Sequence, residues 1–333
     1  DRSPSRGLGD VYKRQIQNIS YLSNNTMTQY ENEVKKRDVM CCMNAGNQGC
    51  GRKWSRMRII TDTGTDILDK EAKKLGIELV AIRSNFTDTV FSENTEAEFT
   101  RFYDKLRQTD TLPVSSQPSP AEFLELFEDA KEKQEEVVVI TISSKLSGTY
   151  NGAMLAKDMA EYDNIYVVDS LQASLSERLL VEYAVKLRDA GMGAKELVRK
   201  LEQDRERVIL TGVPSTLLYL KMGGRISPVV AAVGGVIGIK PVLWLKDGVI
   251  ESRSKARGMR MAKSGMQSFL KDYEADPAMP VMFAHSDNAE MGQQFMEETV
   301  QQFGLAGCSL HEIGMAIGTH IGPDALMMAF MRK

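Results

Sequence analysis

The chain has 333 residues, of which 42% are hydrophobic and 26% are charged, and its formal net charge is −3. This length can supply two domains, and the lack of a basic excess argues against a nucleic-acid partner. The longest apolar run, at 229–239, is broken by glycines and is far shorter than the roughly 20 residues of a membrane span, so we predict a cytoplasmic protein.

Residues 1–56 look unlike the rest of the chain. They contain three of the four cysteines, and DVYKRQ at 10–15 is what a common sequencing adapter encodes in one reading frame. We expect this extension to be an assembly artefact or disordered, so it takes no part in the predicted fold. Cys308, the one cysteine outside it, predicts neither a disulfide framework nor a zinc site.

From Met57 onward the predicted strands and helices alternate, which is typical of a parallel sheet with ligands beyond its carboxyl ends. The predicted elements are strands at 58–62, 76–82, 137–142 and 164–170, helices starting near Ile67 and spanning 95–108 and 118–133, and a loop at 171–179. Pro120 stands where a first-turn proline is expected. The sequence therefore predicts an N-terminal α/β domain over 57–206, which a charged helix at 194–208 separates from the rest of the chain.

The remaining residues, 207–333, predict a second domain of the α+β class. Its predicted elements are a strand at 208–214, a short segment at 216–224, an apolar helix from Pro228 to about Gly235, a hairpin around Asp247-Gly248, helices at 257–273 and 288–303, a strand at 281–285 and two final strands. Asp-Gly is a strong signal for a tight hairpin turn. The predicted fold class is thus α/β, with a parallel-sheet N-terminal domain and an α+β second domain.

Hydroxyl-bearing residues open one predicted helix directly after the strand at 137–142. Ser147 offers a hydroxyl at the positive end of the helix, Gly148 lets a ligand approach the backbone, and Thr149 follows them. Free amides at such a helix start bind carboxylates or phosphates. Alternatively, Ser147 is only the N-cap of the helix.

A second pair of serines, Ser115 and Ser116, precedes the helix predicted at 118–133. Because loops after neighbouring parallel strands meet at one edge of a sheet, we expect these serines to reach the same anionic head group as Ser147. A capping role is again the simpler alternative.

Three further features come later in the chain. The apolar helix predicted at 228–235 either packs in the core or lines an apolar cavity. Arg225, just before this helix, either serves a binding site or is a solvated surface charge. His320 lies between two glycines in a predicted loop and can donate to an anion, although most single histidines do no such work. For Asp62 and Asp66, at the end of the first strand, turn-forming and capping roles are favoured over a metal or phosphate site.

The order of the motifs over 57–333 resembles that of the DegV family of bacterial fatty-acid-binding proteins. The motifs are ITDTGTD, SSQPSP, ISSKLSGTY, VVDS, YLKMGGRIS, IKPVL, SKAR, HSDNAE and HIGPDA. The resemblance implies a two-domain protein that buries one long-chain fatty acid between or beside its domains. It also implies a carrier without a cofactor or metal, which hands the fatty acid to a separate fatty acid kinase for phosphorylation to an acyl phosphate in phospholipid synthesis.

The resemblance also implies which residues meet the ligand. Ser115, Ser147 and His320 match the positions that hold the carboxylate. The residues that match the supporting head-group loops are Ser116, Gly148 and Thr149, and those that match positions facing the kinase or the new phosphate are Arg225 and Arg257.

Two alternatives from other functional classes stay open. In the first, Ser147 is the nucleophile and His320 the base of a serine hydrolase acting on a lipid ester, although the sequence has neither GxSxG nor SxxK there and only Asp324 adjoins the histidine. In the second, the chain transfers phosphate itself, although no GxxxxGK[ST] motif occurs.

Overall fold

The computed structural model describes residues 57–109, 111–226 and 238–333. The extension at 1–56 and the apolar helix predicted from Pro228 lie outside the described residues. The strands are β1 (Met57–Asp62), β2 (Glu78–Val80), β3 (Arg83–Asn85), β4 (Val90–Phe91), β5 (Val114–Ser116), β6 (Glu136–Thr141), β7 (Ile165–Asp169), β8 (Val208–Val213), β9 (Ile239–Lys246), β10 (Val249–Arg257), β11 (Val281–His285), β12 (Cys308–Glu312) and β13 (Leu326–Met331). The helices are α1 (Asp69–Leu75), α2 (Glu96–Gln108), α3 (Pro120–Glu132), α4 (Thr149–Ala160), α5 (Leu175–Asp189), α6 (Ala194–Asp204), α7 (Leu218–Met222), α8 (Gly258–Asp272), α9 (Ala289–Phe303) and α10 (Met315–Ile321).

The first half of the described chain builds a parallel sheet of order β2-β1-β6-β7. Its central strand β6 is buried on both faces, as its uninterrupted β-branched run predicts. Helices α3 and α4 cover one face, where Phe123 and Ala153 pack against Val139. Pro120 stands in the first turn of α3, as predicted, behind a capping box formed by Ser119 and Glu122.

The second half builds a mixed six-stranded sheet of order β10-β9-β8-β13-β11-β12, in which β11 and β12 are the parallel pair. The hairpin predicted at Asp247-Gly248 joins β9 to β10, and both turn residues have positive φ, 49° and 80°. Parallel and mixed sheets with helices against them confirm the predicted fold class. The domain boundary at 206/207 stays a prediction.

Helix α5 corrects the loop predicted at 171–179. It begins at Leu175, and ten of its fifteen residues are buried, Glu177 and Arg178 among them. Its apolar side chains share one core cluster with Val138 of the parallel sheet and Met327 of the mixed sheet. Because α5 is buried nearly all round and carries buried charges, its sequence lacks the one-sided periodicity that predicts a surface helix.

Two other elements differ from the loops predicted for them. Ser115 lies on β5, the edge of a small antiparallel sheet of order β4-β3-β5, and therefore not in a loop between parallel strands. His320 lies in the last turn of α10, a seven-residue helix between Gly314 and Gly322. Both elements are too short, and α10 too rich in glycine, for sequence periodicity to reveal them.

Candidate functional site

Two parallel hydrogen bonds join the small sheet to α10. Ser115 Oγ lies 2.7 Å from His320 Nε2, and Ser84 Oγ lies 2.7 Å from Thr319 Oγ1. Ser84 and Ser115 are direct partners in the pairing of β3 with β5. Since the Thr319 hydroxyl donates to the Met315 carbonyl at 2.8 Å, Ser84 is the donor in the second bond. Neighbouring residues on two elements thus fix the Ser115 and His320 side chains together.

Burial keeps the His320 imidazole neutral. Burial and, to a smaller extent, the positive charge of Arg225 together lower the pKa of His320 to about 4. The second ring nitrogen, Nδ1, is buried and has no hydrogen-bond partner. It faces Gly223, where a methyl group would lie well inside van der Waals contact with the ring. The glycine is therefore required for the position of the histidine.

Ser147 lies at the start of α4, after the carboxyl end of β6. Its hydroxyl contacts Thr149 Oγ1 at 2.9 Å and accepts a long hydrogen bond from the Thr149 N–H, at 3.4 Å. Gly148, and not Ser147, is the N-cap of α4, so the Ser147 hydroxyl supports the helix start from the preceding position and keeps a lone pair or proton for a ligand. The side chain of Gln117 fills the space over Gly148, so the segments carrying Ser115 and Ser147 touch there.

Arg225 is not a solvated surface charge. Its Nε donates to the Leu146 carbonyl at 3.1 Å and its Nη1 to the Gly223 carbonyl at 2.5 Å, so that it ties the Ser147 loop to the turn beneath His320. Outside the lining of the pocket lie four other predicted residues: Ser116, Gly148, Thr149 and Arg257. Arg257 is exposed at the end of β10, and exposed Ser116 accepts a hydrogen bond from Asn85 Nδ2 at 3.0 Å.

Four of the polar side chains described above lie together at one edge of a pocket whose wall is apolar. Ser115, Ser147, Arg225 and His320 all line it. The wall is largely apolar and comes from the facing strands of the mixed sheet, through Leu210, Leu243, Leu245 and Met327. The space measures about 830 Å³ when its opening to solvent is included. Such a pocket suits an anion with a long apolar tail.

Several acidic side chains are buried together under the polar end, and the sequence alone did not predict that they form a group. Asp62 accepts the N–H of Gly64, the predicted turn-forming role, and also that of Ile142, both at 2.8 Å. Asp66 accepts the Gly314 N–H at 2.8 Å and the hydroxyl of Ser174, which lines the pocket, at 2.5 Å. Burial raises the pKa of both aspartates to about 7. No local sequence pattern links segments so far apart.

A third buried acid, Glu177, lies beside Thr61, whose hydroxyl donates to Oε1 at 3.5 Å. Its Oε2 is buried without a hydrogen-bond partner. Burial raises the pKa of Glu177 well above its ordinary value, and the nearby charges of Asp62 and Asp66 raise it further.

The geometry does not support the predicted hydrolase. His320 pairs with Ser115, while the hydroxyl of Ser147 contacts Thr149. Asp324, the acid nearest in sequence, bonds Arg107 and Asn288, which leaves His320 Nδ1 without an orienting carboxylate.

Within residues 57–109, 111–226 and 238–333, no group of three or more His, Cys, Asp or Glu side chains is arranged to hold a metal ion. None of the helices described is both long and apolar enough to cross a membrane.

The model of the DegV family, described as uncharacterised proteins, matches residues 56–333. A DegV domain-containing protein of Caldanaerobacter subterraneus is 30% identical over 279 residues, which cover 84% of this chain and 99% of the relative.

Two solved structures share the fold. One is a Thermotoga maritima protein that is reported to reveal a fatty acid binding function. It superposes with a TM-score of 0.74 at 26% identity, and the matched region covers 84% of this chain and 100% of the Thermotoga chain. The Streptococcus pneumoniae Fatty Acid Kinase (Fak) B3 protein, loaded with linoleic acid, has a TM-score of 0.73 at 25% identity and the same coverage.

Proposed function

Because this chain belongs to the DegV family, we propose that it binds one long-chain fatty acid in the pocket and presents the carboxylate to a separate fatty acid kinase. The kinase would phosphorylate the carboxylate to an acyl phosphate, so that this chain is the carrier and the ATP chemistry belongs to the partner. The observation that carries the proposal is the hydrogen-bonded Ser115–His320 pair, with Ser147 and Arg225, at the edge of an apolar pocket.

The apolar wall would supply most of the affinity. Burial of a 16-carbon tail at about 0.8 kcal/mol per methylene gives a gross gain of order 10 kcal/mol. Hydrogen bonds from the polar end would add about 1 kcal/mol each and would orient the carboxylate. Fatty acids that differ in the tail would therefore compete mainly through the apolar wall.

The donors at the polar end suit a carboxylate that must remain reactive. Ser115 and Ser147 carry neutral hydroxyls, and His320 is neutral. Arg225 contributes positive charge, but Nε and one terminal nitrogen already donate to backbone carbonyls, which disfavours a full two-pronged grip on the ligand. A carboxylate held in this way would keep its charge available for attack on a phosphoryl group.

The first test is direct binding. Protein purified from bacteria is expected to release a fatty acid on extraction, and delipidated protein to bind palmitate or oleate stoichiometrically. Ser115→Ala should lower the affinity about tenfold, whereas Ser116→Ala, the matched change on the outward face of the same strand, should leave it unchanged. Protein that carries no fatty acid and shows no affinity for either one contradicts the proposal.

The second test adds a fatty acid kinase and ATP. Acyl phosphate, trapped as the hydroxamate, should form only when kinase and loaded carrier are both present, and Ser147→Ala should reduce its yield. Acyl phosphate formed by this chain alone would instead assign the phosphotransfer to it.

A further inference from the structure

We infer that Asp66 is a positioning residue for the polar end of the pocket, because its carboxylate joins the start of the His320 helix to the pocket wall at Ser174. The inference rests on the proposed function, since it concerns how the carboxylate of the ligand is recognised. Asp66 itself does not meet the ligand, and it acts through the two segments that it holds.

The two oxygens of Asp66 are used on different segments. Oδ1 accepts the N–H of Gly314, the residue that precedes α10, and Oδ2 accepts the hydroxyl of Ser174. The side chain is buried, and the contact with Gly314 spans 248 residues of sequence. Local turn formation therefore does not explain these bonds.

Helix α10 is short and clamped, so a shift at its start would reach His320. It has seven residues, and His320 lies six residues after Gly314, or about 9 Å along the axis. Tyr103 donates to the Ile313 carbonyl at 2.8 Å, next to the Asp66 contact. Gly314 has no room for a Cβ atom, which would lie 2.7 Å from the ring of Phe99. The start of the helix thus has one position while these contacts hold.

The carboxylate of Asp66 also fixes Ser174, which lines the pocket. The backbone of Ser174 has φ 53° and ψ −133°, a conformation that residues other than glycine rarely adopt. Its N–H donates to the Gly64 carbonyl at 2.8 Å and its hydroxyl to Asp66, so the loop between β1 and α1 holds both of its hydrogen-bond donors. Loss of the carboxylate would free Ser174 and Gly314 together.

The test compares a long-chain fatty acid with its methyl ester, which keeps the tail but loses the negative charge. In Asp66→Ala, the preference of the delipidated full chain for the acid over the ester should fall about tenfold, as expected when the hydrogen bonds to a charged group are misaligned. Asp66→Asn should stay within about threefold of wild type, because its amide oxygen can still accept from Gly314 and its nitrogen can donate to Ser174. General destabilisation lowers thermal stability but does not change the acid-to-ester preference of the folded molecules.

Asp204→Ala is the matched control. Asp204 is also buried and accepts hydrogen bonds from Tyr183 and Arg207, but it does not line the pocket. This variant should lose stability and keep the preference. If Asp66→Ala does not fold, Tyr103→Phe loosens the same helix start by one hydroxyl group and should lower the preference about threefold.

The outcomes separate the two proposals. Wild-type protein that binds neither compound overturns the proposed function and this inference with it. Wild-type protein that prefers the acid, with the same preference in Asp66→Ala or in Tyr103→Phe, leaves the proposed function standing and overturns the positioning role.

Discussion

The polar end and the apolar wall of the pocket are built in different ways. At the polar end, single hydrogen bonds join segments that are 205 residues apart for Ser115 and His320 and 235 apart for Ser84 and Thr319. The wall is a patch on paired strands, where Leu210 of β8 stands opposite Leu245 of β9. Recognition by the polar end therefore depends on the distances and angles of its hydrogen bonds, whereas binding by the wall depends on how much apolar area it removes from water.

This difference predicts that mutations in the wall and at the polar end affect ligand binding in opposite ways. A change in the wall should matter through its polarity and volume, and should affect acid and ester alike. A change of a few tenths of an ångström at the polar end should affect recognition of the charge while leaving the contribution of the tail intact.

The largest effect is expected from a charge in the wall. Leu243→Asp places a carboxylate in the apolar lining, where an unpaired charge costs several kcal/mol, so affinity for a fatty acid should fall at least about a hundredfold. Met261→Asp, on the exposed face of α8, is the control and should bind normally. Titration of delipidated protein, with circular dichroism to verify folding, measures the effect. Normal binding by folded Leu243→Asp protein would mean that the tail lies elsewhere.

The next largest effect should come from the glycine under His320. Gly223→Ala places a methyl group against the imidazole and 3.1 Å from the Tyr219 carbonyl, so the ring must leave Ser115. We expect the preference for acid over ester to fall roughly tenfold, the value of one hydrogen bond to a charged group. Gly193→Ala, where a Cβ atom meets nothing within 4 Å, is the control. An unchanged preference would show that His320 has no part in recognising the charge.

Several strands and helices of the fold follow from local sequence signals, whereas the polar end of the pocket does so only in part. The β-branched run of β6, the first-turn Pro120 of α3 and the Asp247-Gly248 turn are local signals, and each element formed where predicted. The resemblance selected Ser115, Ser147 and His320, which line one pocket, although the first and last lie on a strand and a helix that were predicted as loops.

The remainder depends on tertiary contacts that leave no local pattern. Helix α5 is buried nearly all round, and its Glu177 would be read as a surface residue from sequence alone. The link from Asp66 to Gly314 joins the two ends of the described chain, and only the folded structure brings them together. The predicted role of Arg257 stays a prediction, and the Ser116→Ala variant tests the head-group role that the resemblance implied for Ser116.

A moderate effect on folding stability, and one that depends on pH, is expected from Glu177, the acid buried beneath the polar end. The apolar wall contains no titrating group, so a change there should not depend on pH. The pKa of Glu177 is raised in the folded state, so the unfolded chain loses its proton first and stability falls as pH rises above the ordinary pKa. Glu177→Gln should therefore stabilise the protein more at pH 8 than at pH 5, by up to about 1.4 kcal/mol per pH unit in this window. Chemical denaturation at both pH values measures the difference.

The matched change Glu125→Gln, on the exposed side of α3, should alter stability equally at both pH values. A gain from Glu177→Gln that is the same at pH 5 and pH 8 would mean that Glu177 is ionised in the folded protein, and that a partner compensates its charge.

The smallest effect is expected at Gly148, and it distinguishes two views of the polar end. If a ligand met the backbone there, as the sequence predicted, a methyl group would block it and binding would collapse. In the structure the methyl group would instead meet Gln117, an exposed and flexible side chain that can rotate away, and the backbone of Gly148 has a negative φ that alanine adopts readily. Gly148→Ala should therefore keep its fatty acid affinity within about threefold, a change of less than 1 kcal/mol. A hundredfold loss, with folding intact, would place the ligand over this glycine and extend the polar end to the amides of α4.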